Sequence, residues 1–373
     1  MTENKIDIQR LTLSQATQEQ KLKSVEHITD HWGTSDTGLD YFIRYHSTIE
    51  SKNYTQDGRL TYWVLVPEDT KDTLDILSCC RTFRRDALIL HANSDKPTEA
   101  IGYAVTTVVT PKKHRGQGYA KRMLSLLHHV LAPNVYPSPG IKIDVPPGVY
   151  PGILSVLYSD VGTYYERCGP VPGEIGWKVQ NPISTIWKIP EVLPILSSEA
   201  NTSSEIQLLS QDAVIELLSS DIPEWGTLPR EPDTTYFAFS PSALPNTHLM
   251  TRSAIHPLHK SFPDVFWGAR IASRNHFITW AFDYSSPHTL VITRINADTN
   301  TFPTLLLSAF QAGVSQNCQQ AEVWNLPKNL LEEAERIGGA TDERTSHLPA
   351  YRWYGPEPVK NIVWVRNEYY SWA

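Results

Sequence analysis

Cysteine is scarce in this chain. Cys79, Cys80, Cys168 and Cys318 serve 373 residues, too few for a disulfide framework at this length. None forms a CxxC pair, which excludes a zinc ribbon. No apolar run approaches the roughly 18 residues of a membrane span, so no membrane partner is expected. Basic charge is not in excess: 33 Lys and Arg face 40 Asp and Glu, a net charge of −7, which disfavours nucleic acid as a partner. Met1 to Arg10 is polar and lacks the apolar centre of a signal peptide, so the chain reads as cytoplasmic. GxSxG and GxxxxGK[ST] are both absent, which argues against an α/β-hydrolase and a P-loop NTPase. Glycine (19) is outnumbered by proline (27), so proline-punctuated loops are expected.

What is present is a large apolar inventory: 40% hydrophobic residues, with 11 Trp. At roughly 150 residues per domain the length suggests about two domains. Ile6 to Leu11 reads as a strand. Leu22, Val25, Ile28 and Trp32 recur at helical spacing. Thr61 to Pro67, Ile76 to Leu90 and Ile101 to Thr110 read as strands, the last the strongest. A helix follows at once, with Ala120, Met123, Leu124, Leu127, Val130 and Leu131 on one face and Lys121, Arg122, Ser125 and His129 on the other. Prolines from Pro133 to Pro151 make the next stretch an irregular loop. Ile153 to Tyr158 is a strand, and Thr163 to Cys168 a short helix closed by Gly169 as C-cap. Leu193 to Glu205 reads as a linker. Beyond it, Ile206 to Leu209 is a strand and Ser210 caps a helix through Leu218. Phe266 to Ser273, Phe277 to Asn296 and Ala321 to Asn325 read as strands, Phe302 to Val314 and Asn329 to Ile337 as helices.

The chemistry lies between the strongest strand and the strongest helix, in Val109-Thr110-Pro111-Lys112-Lys113-His114-Arg115-Gly116-Gln117-Gly118-Tyr119-Ala120. Two glycines before a helix let backbone N–H groups converge, and the helix dipole adds positive potential. Lys112, Lys113, Arg115 and Lys121 add charge. A pyrophosphate fits such a site.

Here the residues resemble a family. Arg115-x-x-Gly118-x-Ala120 matches the [QR]-x-x-G-x-[GA] signature of the GNAT superfamily of acyl-CoA N-acyltransferases. The resemblance implies an α+β fold, a mixed central sheet flanked by helices, with acetyl-CoA as co-substrate bound by Val109, Thr110, Arg115, Gly116, Gln117, Gly118, Tyr119, Ala120 and Lys121. Tyr164-Tyr165-Glu166-Arg167-Cys168-Gly169 resembles the family's aromatic-Tyr-x-x-x-Gly pattern, whose tyrosine protonates the leaving thiolate. Tyr165 matches that position and Tyr164 is the fallback. Over most of its length the chain is similar to fungal lysine N6-acetyltransferases, in Tyr62-Trp63-Val64-Leu65-Val66-Pro67, Leu157-Tyr158-Ser159-Asp160-Val161-Gly162 and Phe266-Trp267-Gly268.

That similarity implies an acetyl-CoA-binding domain over 1–190 and a C-terminal domain over 200–373. The latter reads as a degenerate second GNAT-like fold, with the acceptor between the two. The favoured acceptor is the side-chain amine of free L-lysine. Alternatives are another small amine (a toxic amino-acid analogue or a polyamine), a protein or peptide, or acyl-CoA binding without catalysis. Lysine has a pKa of about 10.4, so deprotonation at neutral pH costs about 4.6 kcal/mol. Glu99 and Asp160 are the nominated bases, and the amides near Val109 and Thr110 the expected oxyanion donors. A free amino acid needs an arginine for its carboxylate, for which Arg81, Arg84, Arg85 and Arg270 are candidates. His27 and His31 stand four apart without a third ligand, so no metal is expected.

Overall fold

The computed structural model describes residues 7–137, 140, 143–199, 205–223, 225–228, 230–240, 244–260 and 265–372. In chain order the first half contributes β1 (Leu11–Gln15), α1 (Gln18–Trp32), α2 (Leu39–Glu50), β2 (Leu60–Pro67), β3 (Ser78–Leu90), β4 (Thr98–Val109), α3 (Tyr119–Leu131), β5 (Leu154–Ser159), β6 (Lys178–Val179) and β7 (Ile183–Lys188). The second half contributes α4 (Ile189–Glu199), β8 (Ile206–Leu209), α5 (Gln211–Ser219), β9 (Thr235–Phe239), α6 (Leu244–Ala254), β10 (Gly268–Ile271), β11 (His276–Asp283) and β12 (Thr289–Asn296). It ends with α7 (Phe302–Ser315), β13 (Gln320–Trp324), α8 (Lys328–Arg336), β14 (Ala340–Glu343), β15 (Leu348–Trp353) and β16 (Ile362–Trp364).

Two sheets share one plan. The first runs β1-β2-β3-β4-β5-β15-β6, and the second β8-β10-β11-β12-β13-β7-β14. In each, the fourth and fifth strands are parallel and joined by one helix, α3 or α7. The sixth strands are exchanged. β7 follows β6 in sequence but pairs with β13 and β14, whereas β15 follows β14 but pairs with β5 and β6. β9 extends the first sheet along the C-terminal part of β3, and β16 pairs with β9. Neither sheet is therefore confined to one side of residue 190. Each has its own core: Trp63, Met123, Leu127 and Trp177 in the first, and Trp187, Trp280, Phe302 and Phe310 in the second.

Local signals explain most elements. Thr17 and Gln20 form a capping box at the start of α1. The Ser210 hydroxyl accepts from Ala213 N–H, as its cap position predicts. Several expectations need correction. The described part of Ile6 to Leu11 is a 3-10 turn, Ile8–Arg10, and the strand starts at Leu11; the Asp7 carboxylate accepts from Gln9 N–H and closes that turn. The expected linker is mostly α4, which buries Val192 and Leu196; residues 200–204 lie outside the described set. The stretch Phe277 to Asn296 divides into β11 and β12, because Pro287 cannot donate to a ladder. Gly169 is not left-handed. A Cβ there would lie 2.1 Å from Glu174 O, so close approach is what requires glycine. His129 is buried, its ring bonded to the carbonyls of Pro137 and Pro170.

Candidate active site

β4 and β5 pair from Gly102–Leu154 to Ala104–Val156 and then part. Beyond Ala104 the β4 amides that point toward β5 lose their partner strand. The gap opens into a cavity of about 470 Å³, lined by Val105 to Val108 of β4 and by Leu157, Tyr158, Asp160 and Val161 at the end of β5. The end of α1 supplies His31 and Trp32, α2 supplies Tyr45 and His46, and β3 supplies Arg81. The other wall comes from the second half: His248 and Arg252 of α6, Asp283 at the end of β11, His347 and Trp372.

The predicted anion loop adjoins this gap. Gly116 and Gly118 have φ of 76° and 84°, and Gly118 is the N-cap of α3 without a side-chain cap. The first-turn amides of α3 thus carry the dipole's positive end with no side-chain cap bonded to them. A Cβ on Gly116 would meet nothing within 4 Å, which leaves room for phosphate oxygens. Arg115 and Lys121 are exposed beside it. Arg115 donates to Thr110 O at 3.1 Å and to His31 Nδ1 at 3.3 Å, tying the loop to the cavity wall. Asp75 accepts from Lys113 and His114. Tyr119 is buried and donates to Gln117 Oε1, while Ala120 is half-buried in the first turn. These residues fit a pyrophosphate.

The remaining nominated residues separate. Tyr165 lines the cavity; Tyr164 does not, its ring packing edge-on against Tyr165 at 5.4 Å. Burial, reinforced by Cys168, pushes the Tyr165 phenol above its ordinary value, so it is protonated at neutral pH. Asp160 lines the cavity and accepts from the backbone N–H of His347 at 2.8 Å. Glu99 is a correction. It is exposed and pairs opposite Leu88, six residues before Val105, the first β4 residue on the cavity wall, roughly 20 Å away along the strand. Val109 and Thr110 sit just past the cavity, where Ser78 bonds Val109 O (3.0 Å) and the Thr110 hydroxyl (3.1 Å). The β4 residues that reach the cavity are 105–108. Of the four arginines only Arg81 lines it. Arg84 donates to Gly148 O, Arg85 to Ser371 O, and exposed Arg270 to Gln207.

Sequence reasoning missed the second-half wall. Asp283 and Arg252 are 3.6 Å apart, and Arg252 lies over the Trp372 ring at 4.9 Å. Burial raises the Asp283 carboxyl, but the Arg252 charge and Ser285 outweigh it and hold it at about 2. Burial keeps His248 neutral, at about 3, and holds His46 well below the usual histidine range. One signal was available: His248 and Arg252 stand four apart, a polar pair on one helical face.

A paired-sheet architecture with a splayed parallel pair and a glycine loop feeding a helix defines a GNAT-type fold. The comparisons agree. Residues 191–373 match the family model described as "LYC1 GNAT-like C-terminal domain". A Yarrowia lipolytica lysine acetyltransferase is 32% identical over 115 residues, 30% of this chain and 28% of that protein. Two solved structures align over 92% of this chain. One is a GCN5-related N-acetyltransferase from Kribbella flavida, with 12% identity, TM-score 0.50 and 71% of its chain covered. The other is a probable N-acyltransferase from Enterococcus faecalis, with 9% identity, TM-score 0.51 and 72% covered. The fold is that of the GNAT superfamily, and residues 191–373 match its LYC1-like C-terminal domain.

Proposed function

We propose that this protein transfers an acetyl group from acetyl-CoA to the side-chain amine of a free amino acid, L-lysine being favoured. The observation that carries this reading is the cavity at the strand gap. It adjoins the anion loop, holds Tyr165, and is walled on its far side by the second half of the chain. Its volume of about 470 Å³ suits a small molecule. The name of the Yarrowia relative supports lysine as the acceptor.

The residues divide the work. The amides at Gly116 to Ala120, with Arg115 and Lys121, hold the pyrophosphate. The unpaired β4 amides of residues 105–108 face the thioester carbonyl and donate to the oxygen that gains charge as the amine attacks. The neutral Tyr165 hydroxyl donates to the departing sulfur. A phenol with a raised pKa is a weaker acid than a thiol of pKa about 8.5, so this donation stabilises charge on sulfur rather than driving full proton loss. Asp160 at the rim accepts the amine's proton through solvent.

The test is thiol release from acetyl-CoA with free amino acids, polyamines and peptides as acceptors. Turnover with free L-lysine above background is expected, along with its loss in Tyr165→Phe while CoA binding is kept. CoA binding with no turnover of any amine would leave a binding-only protein.

A further inference from the structure

We infer that Arg81 is the binding site for the acceptor's α-carboxylate, so the substrate class is free amino acids and excludes polyamines and peptide-embedded lysines. This rests on the acetyl-transfer reading above and adds what the acceptor must carry.

Arg81 is 4% exposed on the cavity wall, and no carboxylate among the described residues forms an ion pair with it. Buried arginines normally have such a partner. The cavity's own two carboxylates are already engaged, Asp283 by Arg252 and Asp160 by the His347 N–H. Arg81 instead donates through Nε to the Thr107 hydroxyl at 2.8 Å and through Nη1 to His46 Nδ1 at 3.0 Å. Arginine can only donate, so His46 Nδ1 accepts and its proton sits on Nε2. That buried N–H has no partner among the described residues. The guanidinium also lies over the rings of Tyr62 (5.7 Å) and Phe83 (5.9 Å), which fix its plane.

The backbone beside this contact is distorted. Thr107 has φ 49°, an outlier for a β-branched residue, beside the register shift between Cys79 and Arg81. Strain of this kind persists where surrounding structure over-determines it and clusters at ligand sites. The result is a desolvated, oriented, uncompensated cation within the cavity that also holds Tyr165. A carboxylate is the group that neutralises it with paired N–H···O bonds. An uncharged peptide carbonyl or a diamine leaves the charge buried and unpaired.

The experiment compares L-lysine, L-lysinamide and cadaverine as acceptors. Wild-type kcat/KM should favour L-lysine over both by about 10⁴-fold, the usual discrimination when a site's buried polar group is left unpaired. In Arg81→Met the lysine/cadaverine ratio should collapse toward unity while the KM for acetyl-CoA holds, and Arg81→Lys should recover part of the ratio. Wild-type turnover of lysinamide or cadaverine equal to that of lysine overturns the inference and leaves acetyl transfer standing; this comparison needs no variant to fold. No turnover of any amine removes the acetyl-transfer reading, and the inference with it.

Discussion

The β4–α3 and β12–α7 junctions occupy the same place in two sheets of the same strand order, yet one is open to an anion and the other supplies its own. At the first, two left-handed glycines precede an uncapped helix. At the second, no glycine lies between β12 and α7, and the Asp298 carboxylate accepts from the amides of Asn300 (3.1 Å) and Thr301 (2.8 Å). The gaps between the parallel strands differ in the same way. In the second sheet Glu368 lies 3.4 Å from the Ile295 N–H on β12, and Arg294 binds both Glu368 and Asp221. Internal carboxylates thus stand where phosphate and acyl oxygens would be held. The comparison teaches that this topology creates anion-binding amides wherever a helix follows the fourth strand. Whether a ligand uses them depends on whether the chain's own side chains reach them first.

The strongest way to break this picture is to cut the chain. Residues 1–199 and 200–373 made separately would each lack the strand that completes their sheet, β15 or β7. Neither half should show a cooperative thermal transition, and co-expression should restore one. A cooperatively folding first half would contradict the exchange of strands as a source of stability.

A smaller effect separates the two gaps. Arg294→Met leaves Glu368 buried without its ion-pair partner and Asp221 with Arg366 alone, at a cost of about 3 kcal/mol, read as a drop in urea midpoint. An unchanged midpoint would show that the ion network is not what fills the second gap.

Acid should act through buried histidines in both halves of the chain. Burial depresses His46, and holds His128 and His248 near about 3. Each binds fewer protons folded than unfolded below its ordinary value of about 6.5, so their contribution is complete above that pH and drains as pH falls toward about 3. Urea midpoints should decline from about pH 7 to about pH 4, by at most about 1.4 kcal/mol per pH unit for each group. His128→Phe should flatten the decline; a slope unchanged in that variant would refute the assignment. The smallest effect is Asp298→Ala, whose lost cap should cost about 1 kcal/mol of thermal stability.

Legibility followed range of interaction. The loop from Arg115 to Ala120, the helix behind it and the strands around it are local patterns, and the residues themselves carried them. α2 was missed because its buried face is built from Tyr45, His46 and Ile49 rather than an aliphatic stripe. The exchanged strands were invisible for a different reason: β15 pairs with β5 some 190 positions away, and nothing in either segment names its partner. The cavity shows the same division. Tyr165 and Asp160 lay beside a recognisable motif. Arg252, Asp283 and His347 reach the site only because the second sheet is packed against the first. Glu99 lies on β4 but away from the cavity, because the sequence does not say which end of a strand meets the ligand.

The division of labour between the two repeats is tested most directly by titrating CoA into the full chain in a calorimeter. One site per chain is predicted, abolished by Gly118→Val, because a β-branched residue cannot hold φ 84°, and untouched by Asp298→Ala. A second equivalent site, or a single site that survives Gly118→Val, would contradict the account.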